Sequence, residues 1–404
     1  MVNKLRLGIL KETKIPPDRR VVLTPDQVME VMQKFSRVEI HLEPSIIRCY
    51  DDNEYLMKGE LLLNDLDKCD ILMGVKEVQI DDFKENKTYI FFSHTIKQQL
   101  HNREMFREII KKKITLLDYE LFTDKKGNRL VAFGKWAGIV GTYNGLIAYG
   151  LRNNFYSLKR AKDCHDLNEV FAQLSGITLP AIKILITGGG RVAGGAMEIL
   201  NNMKIRKVDS EEFLGNDYQE PVYCKLDPDN YVKHKNGRQF ELQHFFEHPA
   251  EYRSVFLPYT KVTDIYIPCH FWNPRSPVFF TKEDVQLPDF KISVIADVSC
   301  DIHGPVPSTI RSSSIAHPFY GYDPLTSDEG DPFDKKNITV MAVDNLPGEL
   351  PRDSSKDFGR AIINHVFPSL FGEDTEGIIE RATIVKNGKL TDRFLYLSNY
   401  AGLE

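Results

Sequence analysis

The segment that most constrains this chain is IKILITGGGRVAGGAMEIL (182–200). A mainly apolar run, interrupted only by Lys183 and closed by Thr187, ends in three consecutive glycines, and a stretch of helical length comes directly after. A strand that turns this tightly into a helix lays the helix back across its own sheet, so the segment demands a βα unit with a buried, mainly parallel sheet. Gly188, Gly190 and Ala193 fit G-x-G-x-x-[GA]. The first glycine makes the tight turn, the second lets the backbone approach a bound group, and the third small residue lets helix and strand pack closely. The unpaired N–H groups at the helix start favour an anion. A pyrophosphate is the expected occupant, held by Gly188, Gly190, Arg191, Val192 and Ala193. Asp209 lies 21 positions after Gly188 and just past Val208, where a carboxylate is expected to bind the ribose hydroxyls of a dinucleotide. That favours NAD and repels a 2′-phosphate, while Lys204, Arg206 and Lys207 close by leave NADP open. A glycine-rich turn without a ligand is the bland alternative, and the strand–turn–helix context weighs against it.

The rest of the chain repeats the βα pattern. LRLGIL (5–10), VEIHLE (38–43), ILMGV (71–75), TYIFFS (88–93) and ITLLDY (114–119) read as strands. PDQVMEVMQKF (25–35) reads as a helix with Thr24 as N-cap and Pro25 in the first position. NREMFREIIKKK (102–113) is a second helix, with Met105, Ile109 and Ile110 on one face. GKWAGIVGTYNGLIAYGLRNNF (134–155) has the length of a buried helix, and its small residues at 138, 141 and 145 allow close backbone approach. Its place between two βα blocks also makes it a candidate connector. Residues 215–260 show weak periodicity and read as an insertion, and 321–337 read as an exposed loop. TDIYIPC (263–269), KISVIADVS (291–299) and NITVMAVD (337–344) read as strands, succeeded by helices around 355–370 and 373–382 and a polar C-terminus.

At about 150 residues per domain, 404 residues suggest two or three domains. The net charge of −5 argues against a nucleic-acid partner, which usually requires a basic face. No apolar run is long enough for a membrane span or a secretory signal, so a cytoplasmic protein is expected. The six cysteines include no CxxC pair and no Cys/His cluster with zinc-ligand spacing, so free thiols and no metal are expected.

Polar clusters recur after the predicted strands of the first block, where open parallel sheets bind their ligands. They are Lys11-Glu12-Thr13-Lys14 with Arg19-Arg20, then Lys76-Glu77, then His94 with Lys97, then Asp118 and Glu120. Singly, each has a bland reading: a solvated lysine, a histidine bonded to its own loop, an arginine paired with Asp18 or Asp26. Repetition along one sheet edge favours a site that attracts a carboxylate-bearing substrate and tunes groups for proton transfer.

These residues carry a resemblance. KETK…RRVVLTP, GVKEV, FFSHTIK, LLDYE, VAFGKWAGIVG, the 188–194 loop, ADVSCDIHG and DNLPGELPRDSS occur in this order. The chain resembles the lysine-forming saccharopine dehydrogenases, and above all the lysine–ketoglutarate reductase module of bifunctional aminoadipate-semialdehyde synthase. The wider group includes alanine dehydrogenases and the transhydrogenase alpha subunit. The resemblance implies an α/β fold of two Rossmann-like domains with parallel sheets separated by an active-site cleft. A discontinuous substrate domain (1–133 plus 352–404) would enclose a dinucleotide domain (134–351), with the 134–155 helix crossing between them. It implies an NAD(P)-dependent oxidoreductase acting on a CH–NH group, interconverting saccharopine with lysine and 2-oxoglutarate. By the same carry-over Lys76 and His94 are the acid–base pair, Arg20 and Lys11 meet substrate carboxylates, and Glu77 and Glu120 modulate the pair. Asp301 would lie near nicotinamide and substrate. Two readings compete: an alanine-dehydrogenase-like enzyme with a smaller substrate, and a non-catalytic nucleotide sensor.

Overall fold

In the computed structural model, which describes residues 4–403, the chain divides into two compact units. One takes the described residues up to Phe133 and from Pro351 onward; the other is Gly134–Leu350. The chain opens with β1 (Leu5–Ile9), crosses over through α1 (Pro25–Lys34), and continues with β2 (Val38–Leu42), β3 (Leu61–Leu62), β4 (Ile71–Met73) and β5 (Thr88–Phe91). Helix α2 (Arg103–Lys111) leads to β6 (Thr115–Asp118). The α1 start is as the sequence predicts: Thr24 and Gln27 form a reciprocal capping box and Pro25 sits where no N–H is needed. Met105, Phe106 and Ile109 are the buried face of α2, with Ile110 at its margin.

The second unit begins with α3 (Gly134–Asn153), of whose 20 residues 15 are buried. A helix apolar almost all round is a core helix. It packs on α4 (Arg191–Asn202), the helix after the glycine turn. A Cβ at Gly138 would lie 1.9 Å from the Val192 carbonyl oxygen, and one at Gly195 1.9 Å from that of Lys135. Only glycine permits so close a crossing. The predicted close approach is therefore real, and the helix belongs wholly to the second unit.

The strands of this unit are β7 (Lys183–Thr187), β8 (Arg206–Lys207) and, after α5 (Ser210–Gly215), β9 (Val222–Leu226). A small antiparallel pair, β10 (Val232–His234) and β11 (Tyr252–Ser254), brackets α6 (Leu242–Glu247). Then come β12 (Ile265–Pro268), β13 (Val294–Ala296), β14 (Phe319–Tyr322), β15 (Glu329–Gly330) and β16 (Ile338–Met341). The sheet order is β15-β14-β16-β13-β12-β7-β9-β8. All neighbours are parallel except the β14–β15 hairpin and its pairing with β16. Two expectations fail here. The supposed insertion 215–260 contains β9, a fully paired inner strand, and the supposed loop 321–337 contains part of the edge hairpin.

The chain then returns through α7 (Pro351–Ala361) to the first unit and adds β17 (Thr383–Lys386) and β18 (Lys389–Leu390). Its sheet reads β18-β17-β6-β5-β4-β1-β2-β3, parallel from β6 to β3 with an antiparallel edge hairpin. The six cysteines are free. Among the described residues no helix is long and apolar enough to cross a membrane.

Candidate active site

In the first unit the strand order reverses at β1, which pairs with β2 on one side and β4 on the other. Ligands of open parallel sheets bind outside such a point. The loops leaving β1, β4, β5 and β6 carry most of the residues singled out from the sequence.

Glu12, after β1, sends its carboxylate across to the turn after β4. Oε1 accepts the Val75 N–H (2.6 Å) and Oε2 the Lys76 N–H (2.9 Å). This fixes the backbone from which Lys76 projects. Burial raises Glu12 to about 7, against the two N–H donors and Arg20 that oppose it. The Lys76 ammonium is largely buried. Burial, with the Arg20 and Lys14 cations, brings it down to about 8, although Asp18 and Glu77 pull the other way. Glu77 accepts a hydrogen bond from Lys14 Nζ at 2.9 Å, and its other oxygen lies 3.6 Å from His94 Nε2. Burial pushes the Glu77 carboxyl up, but Lys14 and His94 together hold it below its usual range.

His94 comes after β5 in a left-handed conformation (φ 53°), which turns its ring out of the strand line and stacks it on Phe92. Burial and the Lys97 cation lower it to about 4, against Glu77 and Glu120, so the ring is neutral at pH 7. Its Nδ1 is buried and without a hydrogen-bond partner. Asp118 closes the arrangement from β6. It accepts from the Ser93 N–H (2.9 Å), the Ser93 hydroxyl and the Glu120 N–H (2.7 Å). It thereby ties the residue before His94 to the residue that meets Lys97 (Nζ to Glu120 Oε1 3.2 Å).

The structure thus brings Lys76, Glu77, His94 and Glu120 together. Arg20 sits differently from expectation. Its side chain is 2% exposed, makes a two-pronged ion pair with Asp18, and stacks over Phe133 at 4.2 Å. Burial works to raise the Asp18 carboxyl, yet Arg20 outweighs it and holds it well below the carboxylate range. The bland reading of this arginine, a partner for Asp18, is the one observed. Lys11 is exposed, with its N–H donating to Glu43 Oε2 (3.0 Å). Its neighbour Lys14 is the lysine that reaches Glu77. Sequence reasoning groups Glu12 and Lys14 in one cluster and gives neither a role. Only the crossover between β1 and β4 reveals one.

The second unit, taken by itself, carries the glycine turn. Gly188 has φ +110°, and a Cβ there would lie 2.5 Å from the Cys269 carbonyl oxygen. Around Gly190 and Gly194 a Cβ would meet nothing within 4 Å. That open space lies at the N-terminus of α4, where Gly190 is the N-cap and offers no side-chain cap to the first N–H groups. The cradle fits a pyrophosphate, as Arg191, Val192 and Ala193 begin the helix.

Asp209 does not sit where the motif predicts. It comes after β8, which is the edge strand, one strand removed from β7. Its carboxylate is the N-cap of α5, accepting the N–H groups of Glu211 (2.9 Å) and Glu212 (2.8 Å). On the side of β7 facing away from β12 the paired strand is β9, and the carboxylate just past its C-terminal end is Asp227. A Cβ on Gly189 would lie 2.8 Å from Asp227 Oδ1. Asp227 is ion-paired with Lys225 and half exposed. The sequence does carry a signal for it: VYCKL after Pro221 is strand-like, and Asp-Pro ends it. At the neighbouring strand end, Thr187 Oγ1 bonds His270 Nδ1 (2.8 Å) and Tyr266 Oη (3.0 Å), all buried.

Asp301 comes after β13. Burial and the nearby Asp297 raise it to about 6. Asp297, to which sequence reasoning assigns no role, is the buried anchor of this loop, accepting from Ser299 Oγ (2.6 Å), Thr309 Oγ1 (2.6 Å) and the Cys300 N–H (3.0 Å).

Known proteins resemble this chain in sequence and in fold. Residues 8–140 match the family described as "Alanine dehydrogenase/PNT, N-terminal domain". The chain is 27% identical over 436 residues to the mitochondrial alpha-aminoadipic semialdehyde synthase of Mus musculus, covering 94% of this chain and 46% of that protein. It is 26% identical over 377 residues to the NAD(+), L-lysine-forming saccharopine dehydrogenase of Neurospora crassa, covering 88% and 89%. An L-alanine dehydrogenase structure shares the fold over 98% of this chain and 99% of its own, with a TM-score of 0.64 at 15% identity. The chain spans about half the length of the semialdehyde synthases it matches. Over most of its length the chain is similar to saccharopine dehydrogenases and semialdehyde synthases, as the sequence motifs suggest, and its α/β fold is the class read from sequence.

Proposed function

We propose that this chain is a pyridine-nucleotide-dependent oxidoreductase that interconverts saccharopine and water with lysine and 2-oxoglutarate. Its relatives support the class of reaction. The observation that carries the reading is that Lys76 and His94 follow the adjacent strands β4 and β5, with Glu77 3.6 Å from His94, and that both are brought below their usual ranges. A chain that only sensed nucleotide would have no use for a buried lysine amine beside a neutral imidazole.

In the oxidative direction a bound nicotinamide would supply the hydride acceptor. The residues of the chain manage the protons. Lys76 Nζ, neutral above about pH 8, takes the proton of the secondary amine as the substrate becomes an imine. His94, neutral at physiological pH, accepts a proton from the water as its oxygen bonds to the imine carbon and passes it to the nitrogen; the hydroxyl proton follows by the same route as the C–N bond breaks, leaving the 2-oxoglutarate carbonyl and the lysine amine. The opposite division between the two groups is the alternative. Lys11 and Lys14 offer cations to the substrate carboxylates, and Arg20 sets the local field from within its pair with Asp18. Glu77 and Glu120 balance the cations around His94 and Lys97. Asp301 is assigned to the nicotinamide end of the reaction.

For the cofactor we favour NAD over NADP. Asp227, not Asp209, is the carboxylate against the glycine turn, and a 2′-phosphate would meet its charge. The test is a substrate screen monitored through nicotinamide absorbance. NADH oxidation that requires lysine and 2-oxoglutarate together is expected. Turnover of pyruvate and ammonia alone would replace this reading by the alanine-type enzyme. Cofactor binding without turnover on any amino-acid pair would restore the sensor.

A further inference from the structure

The segment that reads from sequence as an irregular insertion gathers three histidines around one carboxylate. His234 ends β10 and pairs in register with Tyr252 of β11, and Glu251 immediately precedes that strand. His244 lies on α6 and His248 lies just past its end, four residues on. Glu251 Oε2 is 3.1 Å from His234 Nε2 and 3.9 Å from His244 Nε2, and Oε1 is 4.0 Å from His248 Nδ1. The ligating atoms of His234, His244 and Glu251 all lie within 4.8 Å of one another.

We propose that His234, His244 and Glu251 bind a divalent transition-metal ion, zinc being the best match. Two imidazole nitrogens and one carboxylate oxygen suit zinc and its neighbours, whereas calcium and magnesium take oxygen sets. Metal–ligand bonds of about 2.0–2.2 Å put tetrahedral ligand atoms about 3.3 Å apart, a separation bracketed by the observed 3.1 and 3.9 Å. The second layer is also present. Tyr252 is buried, and its hydroxyl lies 3.0 Å from His244 Nδ1. With the proton on Nδ1 and Tyr252 accepting it, the Nε2 lone pair points at Glu251. His248, or a water, completes the fourth position.

One ligand must adjust. His234 Nδ1 accepts the Asn236 N–H at 3.1 Å, so in the metal-free chain its proton is on Nε2, facing Glu251. Metal entry at Nε2 moves that proton to Nδ1 and breaks the bond to Asn236. Asn236 is exposed, and water takes over its N–H. The metal would then tie β10, α6 and β11 into one unit. The bland alternative is a hydrogen-bonded His–Glu cluster that holds the hairpin unaided.

The experiment uses the tag-free full chain, stripped with a chelator. Zinc chloride is added in a calorimeter and cobalt chloride in a visible spectrophotometer. One bound equivalent, the absorption of tetrahedral cobalt and a raised melting temperature are expected. His244→Ala and Glu251→Gln should each abolish that equivalent. Tyr252→Phe keeps all three ligands but removes the partner of His244, and should weaken binding roughly 10–100-fold. If circular dichroism shows His244→Ala unfolded, Glu251→Gln, which preserves shape and both imidazoles, decides. No binding by the unaltered chain, or zinc binding unaffected by Glu251→Gln, overturns the proposal.

Discussion

The two sheets of this protein are built alike and finished differently. Each has six parallel strands and an antiparallel edge hairpin. In the first, the strands on either side of β1 run outward in chain order, as in doubly wound dinucleotide folds. In the second, β8 and β9 have changed places, so the later strand lies against the glycine turn. The ends of the first sheet hold a network of ionisable groups, Asp118 buried and Glu12, Lys76, Glu77 and His94 partly buried. The ends of the second hold bare backbone at the glycine turn, one half-exposed carboxylate beside it, and Asp297 and Asp301 after β13. One architecture can therefore carry very different sets of groups, according to the residues placed in the loops at its strand ends.

The sharpest way to break this contrast is to remove a proton-handling group from the first sheet. Lys76→Met and His94→Gln should each lower kcat roughly 10²–10⁴-fold and leave the NAD dissociation constant unchanged by equilibrium titration. A large change in NAD affinity would erase the division between the units. Next in size is Asp227→Ala. Losing a charged hydrogen-bond partner costs about 1.5–3 kcal/mol, so NAD should bind roughly 10–100-fold more weakly, NADP should lose less, and kcat at saturation should hold. Equal losses for both cofactors would remove Asp227 from the ribose site.

Glu12→Gln probes the link between loops. An amide can accept only one of the two N–H bonds that Glu12 now accepts from Val75 and Lys76. One lost hydrogen bond is worth about 0.5–1.5 kcal/mol, so kcat should fall up to about tenfold with substrate KM nearly constant. An effect on KM alone would make Glu12 a binding residue. The smallest effect belongs to Asp209→Ala. It removes a helix cap and should cost about 0.5–2 kcal/mol of stability by denaturant melt, with NAD affinity intact. A drop in NAD affinity would reinstate the position that the motif spacing suggests.

The same contrast explains how far the sequence is legible. Local signals are enough for the βα alternation, the Thr24 cap and the glycine turn, because turn residues and helix caps are decided within a few positions. The small residues of α3 announce a close crossing without naming its partner. The motif rule points to Asp209 and not to Asp227, the proposed ribose partner, because it assumes that the next strand in sequence is the next strand in the sheet. Here an extra strand and helix intervene, and strand order depends on non-local pairing. Glu12 and Asp118 are invisible as positioning groups for the same reason: their partners are on other strands. Arg20 is legible as a cation, but its burial with Asp18 is not. The histidines of the β10–β11 hairpin escape notice because their spacing matches no short zinc motif, and only antiparallel pairing brings Glu251 to His234.

In the proposed reaction Lys76 moves the proton in the first unit. This role is tested most directly by the pH dependence of kcat for saccharopine oxidation, measured for the unaltered chain and for Lys76→Met. Burial and neighbouring cations bring Lys76 to about 8. The amine is the active form in this direction, so kcat should rise as pH passes upward through about 8 and then level off. In Lys76→Met the residual rate should lose that limb. A limb near pH 8 that survives the substitution would contradict the account.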